Sequence, residues 1–257
     1  MLLPGFGELP ELVFNTTLLP NIALENQLIT VIPTLQDGWQ SFYVDHESQE
    51  TLDHVVMEVF KKYADKKLKF YIGGFSLGGS GVVRYAERAY ASDKLPKPDA
   101  IFAIDPPFDF ERLYERLSLS KILNQAEITK GEVVFLTALI EQHLGGKPEG
   151  NLRPYFELSP FCIKDTTWHN LQSIKNLPVR LVCEPDIQWQ IEERNRDFYQ
   201  MNIIDCAAMV NILRLLGNNK ATLITTHEKG YRYGGKRNPH SWSIADPEET
   251  IKWLLSY

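Results

Sequence analysis

The chain has 257 residues, 44% apolar and 23% charged, an ordinary globular composition that excludes a disordered or fibrous protein. No apolar run approaches the ~18–20 residues that span a bilayer. With 27 basic against 33 acidic residues the net charge is −6, without a basic tract, which argues against nucleic acid and anionic membranes as partners.

Met1-Leu2-Leu3-Pro4-Gly5-Phe6-Gly7 has neither a charged start nor a long apolar run, so it does not read as a signal peptide. It reads as the end of a strand followed by a Gly-rich turn, an opening partway along a strand that leaves room for lost upstream sequence. Gln27–Ile32 predicts a strand ended by Pro33. Leu52, Val55, Val56, Val59, Phe60 and Tyr63 recur at helical spacing. Lys67–Ile72 predicts a strand running into glycines, and Val82, Val83, Ala86, Ala89 and Tyr90 a helix ended near Pro96. Asp99–Ile104 reads as a buried strand stopped by Asp105-Pro106-Pro107.

Residues 109–176 break the alternation with mostly helical patterns, a turn at Gly145-Gly146-Lys147-Pro148, and one ambiguous β-type stretch at Glu132–Phe135. They read as an insertion over one end of the sheet. Val179–Cys183 predicts a strand, Asp205 the N-cap of a helix through Leu216, and Ala221–Thr225 the last strand. Asp246-Pro247-Glu248-Glu249 carries N-cap Asp, N1 Pro and N3 Glu for a final helix. Strands alternating with helices predict a parallel sheet covered on both faces. The widely spaced Cys162, Cys183 and Cys206 predict buried free thiols rather than disulfides or a zinc site.

The strongest chemical signal is Gly74-Phe75-Ser76-Leu77-Gly78, between a predicted strand and a predicted helix. A turn this tight leaves no room for side chains at the flanking positions. It pushes the serine hydroxyl to the carboxyl edge of the sheet, and it aims the Leu77 amide at a developing oxyanion. The dinucleotide and P-loop glycine patterns both fail here.

A serine needs a base, and the base an orienting acid. Asp186, just past the strand at 179–183, is the favoured acid, with Glu184 as competitor. His240, in a loop before the final helix, is the favoured base, and His227 the alternative. A second oxyanion donor is expected from Pro4-Gly5-Phe6-Gly7, with the Phe6 amide in that role. Aromatic residues near the sheet edge, Trp39, Tyr43, Trp189 and Trp242 among them, are candidate substrate contacts.

Together these residues resemble the α/β-hydrolase superfamily over essentially the whole chain. Leu3–Gly7 resembles its oxyanion segment, Gly74–Gly78 its nucleophile elbow, and Asp186 and His240 its acid and base. Asp37–Asp45, Leu144–Glu149 and Leu158-Ser159-Pro160 resemble segments of the esterase D and putative-esterase branch.

The resemblance implies an α/β-hydrolase fold of about six mostly parallel strands, lacking two N-terminal strands of larger relatives. It implies one domain over 1–257, with a helical lid at about 109–176. The implied activity is that of a serine carboxylic-ester hydrolase acting on a small-molecule ester through an acyl-enzyme, with no metal or organic cofactor. A thioesterase or peptidase on the same residues, or a non-catalytic binding protein, are the alternatives. The expected protein is soluble, either cytoplasmic or exported with a leader upstream of this chain.

Overall fold

The computed structural model describes residues 1–35, 41–123 and 127–257. Five strands form one sheet in chain order, β1 (Leu2–Leu3), β2 (Tyr71–Phe75), β3 (Ala100–Ile104), β4 (Val179–Cys183) and β5 (Ala221–Thr225). Every neighbouring pair is parallel, so each connection must cross over the sheet, and helices make those crossings.

Alternate strand side chains feed two separate core layers, as the period of a strand requires. Ile72, Ile101, Ala103, Val179, Leu181 and Cys183 point into one. That layer is shared with α3 (His46–Lys62), α4 (Leu77–Ala91) and α10 (Ile203–Leu215). Tyr71, Phe75, Ala100, Phe102, Ile104 and Val182 point into the other. It is closed by α1 (Pro10–Thr16), α2 (Leu19–Glu25) and the C-terminal α11 (Pro247–Leu254). With both faces covered, β2 and β3 are buried throughout, and their sequences are accordingly unbroken apolar runs.

Between β3 and β4 come α5 (Phe110–Ile122), α6 (Glu127–Leu144), α7 (Leu152–Leu158) and α8 (His169–Ser173). The short α9 (Ile187–Arg194) follows β4. Among the described residues no helix is long and apolar enough to cross a membrane.

Four expectations need correction. Residues 27–32 form no ladder: the two-residue β1 gives them a single bond, Leu2 N to Val31 O at 2.9 Å. The described sheet thus has five strands rather than six. The strand expected at 67–72 lies at Tyr71–Phe75. Its shift into the glycines follows from packing, because a Cβ on Gly73 would lie 2.0 Å from the Phe102 ring, so only glycine lets that ring cover the strand. The ambiguous Glu132–Phe135 is part of α6. Asp205 sits inside the first turn of α10 behind the N-cap Asn202, because its buried carboxylate is taken by Arg112 and by the Phe108 and Asp109 amides.

Candidate active site

Ser76 occupies the one-residue turn between β2 and α4 with φ 53° and ψ −127°, a conformation that costs a non-glycine residue strain. The neighbouring glycines make the turn possible. A Cβ on Gly74 would meet the Gly78 backbone at 2.6 Å, and one on Gly78 would meet Pro4 O at 2.2 Å. The Ser76 amide donates to Ile104 O at 2.9 Å, so the turn is tied to the end of the adjacent strand.

Sheet register decides what stands beside the serine. Phe75 pairs with Ile104 across β2 and β3. The next residue on each strand is Ser76 and Asp105, and both leave their strands with positive φ. His240 bridges them. Its Nε2 lies 3.0 Å from Ser76 Oγ and its Nδ1 2.6 Å from Asp105 Oδ2. A carboxylate only accepts, so Nδ1 carries the proton and Nε2 is left to accept from the serine hydroxyl. Asp105 is held in turn by its amide on Val182 O and by Asn202 Nδ2 donating to its carbonyl, both at 2.8 Å.

The carboxylate expected on His240, Asp186, is elsewhere. It lies three residues past β4, one strand further across the sheet, and Pro185 turns it into the N-cap of α9. There it accepts from Trp189 N at 3.1 Å and pairs with Arg237 Nη2 at 2.6 Å. Its competitor Glu184 is also engaged, accepting from Thr226 Oγ1, Lys229 N, Gly230 N and Arg237 Nη2 at 2.8–3.0 Å. Glu184, Asp186 and Arg237 together clamp the loop that carries His240. The signal for Asp105 was present in the sequence, since an acid directly after a buried strand reaches the same sheet edge. His227 is surface, its side chain 85% exposed.

The loop after β1 comes up on the other side of Ser76. Glu8 fixes it, accepting from Gly5 N at 3.0 Å, Thr16 Oγ1 at 3.0 Å and Trp242 Nε1 at 2.8 Å. Phe6 and Leu77 both line the cavity over Ser76. Leu77 opens α4, so no preceding turn can take its amide.

That cavity measures about 210 Å³. Of the expected substrate contacts, Trp189 lines it. Tyr43 is buried against Gly81 beneath α4, and Trp242 is buried between Phe75 and Glu8. Trp39 lies outside the described residues. Cys183 also lines the cavity. Hydrogen bonding with Cys206 and burial hold its thiol well above the usual range, so it is no competing nucleophile. All three cysteines are buried and free.

Among the described residues, the one group of metal-ligand type is Asp109, Glu111 and Cys162, which are not lining residues of the Ser76 cavity. Its carboxylates are already taken by Arg112 N, Ile163 N and Lys164 Nζ, and burial holds the Cys162 thiol above its ordinary range.

Residues 34–143 match the sequence model of a family described as an alpha/beta hydrolase of unknown function. No curated protein matches the chain. Among solved structures, carboxyl esterase 2 of the mycorrhizal fungus Tuber melanosporum is 15% identical. It superposes with a TM-score of 0.61 over 100% of this chain and 75% of that one. An S-formylglutathione hydrolase from Agrobacterium tumefaciens is 14% identical, with a TM-score of 0.56 over 99% and 82%. The chain spans only 29% of the length of a Pyrococcus horikoshii acylaminoacyl peptidase, at 12% identity over 87% of this chain and a TM-score of 0.48. Likeness at this identity establishes the fold: the chain is an α/β-hydrolase-fold protein, with esterases among its structural neighbours.

Proposed function

We propose that this chain is a serine hydrolase that cleaves small carboxylic esters, with Ser76 as nucleophile, His240 as base and Asp105 as the orienting acid. The observation that carries the reading is the single imidazole bonded at once to Ser76 Oγ and to Asp105 Oδ2. That chain of contacts matches the roles a hydroxyl nucleophile requires.

Ser76 Oγ attacks the ester carbonyl as His240 Nε2 takes its proton. The imidazolium that forms is stabilised by Asp105, which keeps its charge. The carbonyl oxygen becomes an oxyanion facing the Leu77 and Phe6 amides, at the positive end of α4. His240 returns the proton to the leaving alkoxide and the alcohol departs. A water, deprotonated by His240, then attacks the acyl-enzyme, and the acid leaves as Ser76 recovers its proton. The helices at 109–176 form the cap, since α5 and α6 supply Leu113, Arg116, Leu117 and Leu136 to the cavity wall.

The test is labelling by a fluorophosphonate probe, compared with Ser76→Ala. Labelling of wild type alone is expected, and an unlabelled wild type beside a labelled reference hydrolase refutes the reading. On a p-nitrophenyl ester, His240→Ala is expected to abolish turnover and His227→Ala to spare it. Matched thioester and peptide substrates on the same enzyme decide the acyl class.

A further inference from the structure

We infer that the substrate carries its own negative charge, a carboxylate or phosphate on the ester, and that Arg116 in the wall of the Ser76 cavity receives it. This rests on the serine-hydrolase reading and names its substrate class.

Arg116 lies on α5, is 6% exposed and lines the cavity. One turn earlier on the same face, Arg112 is fully engaged, with Asp205 on its Nε and the Tyr199 and Met201 carbonyls on its other nitrogens. Arg116 is treated differently. Its Nη1 donates to Gln200 O at 2.6 Å and Asn202 Oδ1 at 2.9 Å, both uncharged acceptors. Among the described residues no carboxylate lies within salt-bridge distance of it, and its Nε is buried without a partner. Burial and the like charges of Arg112 and Arg196 pull the guanidinium down to about 10 against the opposing pull of Asp205 and Asp105, which still leaves it a cation at neutral pH.

A buried cation with no carboxylate in direct contact is costly, and a bound anion lowers that cost. A planar guanidinium also fits carboxylate and phosphate oxygens better than any other side chain does.

The rest of the wall has the same sign. Arg194, Arg196 and Arg232 line the same cavity. Its two lining carboxylates are already committed, Asp105 to His240 and Glu184 to Arg237 and the loop amides. A chain of net charge −6 has thus gathered four arginines around one small cavity. Such a concentration of positive charge favours anions. The volume, about 210 Å³, suits a short acyl or alcohol part rather than a long lipid chain.

The test compares the mono-4-nitrophenyl ester of adipic acid with 4-nitrophenyl hexanoate, which match in length and differ in one carboxylate. Turnover is measured on wild type and binding on Ser76→Ala, so recognition is read without chemistry. The anionic ester is expected to be favoured at least about tenfold in both kcat/KM and Kd. Added salt should erode that preference. Arg116→Gln should bring the preference to within about threefold of unity. Where Arg116→Gln does not fold, the Arg194→Gln/Arg196→Gln double variant should cut it by about threefold or more.

Equal binding of the two esters by Ser76→Ala overturns the inference, as does a preference that survives in the arginine variants. These results leave the hydrolase reading standing. An enzyme that turns over neither ester and escapes fluorophosphonate labelling defeats that reading instead, and the Kd comparison still decides the charge preference.

Discussion

Replacing Asp105 by Asn and, separately, Asp186 by Asn separates the acid that meets His240 from the acid that the sequence favoured. Asp105 Oδ2 is 2.6 Å from His240 Nδ1. When His240 accepts the serine proton, a unit charge appears about one hydrogen bond from that carboxylate. A charge pair at about 4 Å is worth about 4 kcal/mol at the effective dielectric of a protein site, about a thousandfold in rate. Asn also permits the wrong imidazole tautomer, and losing the orienting carboxylate of such a triad costs about 10⁴ in kcat. Asp105→Asn should therefore lower kcat by about 10³–10⁴ with an unchanged fold.

Asp186 pairs with an Arg237 that keeps Glu184 as a second partner. Asn remains a competent N-cap, and a partly exposed ion pair is worth about 1 kcal/mol at most. Asp186→Asn should leave kcat within about threefold of wild type and shift Tm by about 2–4 °C. The assay is steady-state hydrolysis of a p-nitrophenyl ester beside calorimetric melting. A thousandfold loss in Asp186→Asn, with Asp105→Asn near wild type, refutes the assignment.

Gly78→Ala should abolish activity or folding, because its Cβ would stand 2.2 Å from Pro4 O, a backbone atom that cannot rotate away; expression and melting beside probe labelling check this. Glu8→Ala should lower kcat by about tenfold with little change in KM, since it frees the Gly5 amide and lets the loop carrying the Phe6 amide drift. Glu87 is buried with one oxygen unpartnered, and burial pushes it up to about 8. A raised acid binds its proton more tightly when folded, so its contribution to stability is greatest below about pH 4.5 and is lost as pH rises to about 8. Glu87→Gln should therefore be the more stable protein at about pH 9, by no more than about 5 kcal/mol, and gain little at about pH 5. Urea melts at both pH values read the difference, and a variant weaker at the higher pH contradicts the sign.

Three of the strands and the elbow were legible because burial writes them directly into composition. β4 and β5 lie where their apolar runs place them, and β3 within one residue. Ser76 was legible because the glycine requirement is local, being met by residues two positions away on either side. The acid was not. Asp105 and Asp186 both follow a strand and both end at the same sheet edge, so chain order cannot choose between them. What chooses is the pairing of Phe75 with Ile104, a relation between residues 29 positions apart. The strand expected at 27–32 failed for a similar reason, since its composition is β-like but the two-residue β1 offers it almost no ladder.

The arginines were hidden differently. Helical periodicity shows which face of α5 is apolar, but not that Arg112 and Arg116 lie on the buried side with one paired and the other not. Net charge hides them too, because an average of −6 is indifferent to where the 27 cations stand. Composition speaks for the surface as a whole, and there it argues against polyanionic partners. Inside the cavity the local count is what a ligand meets, and there four arginines stand beside two committed carboxylates.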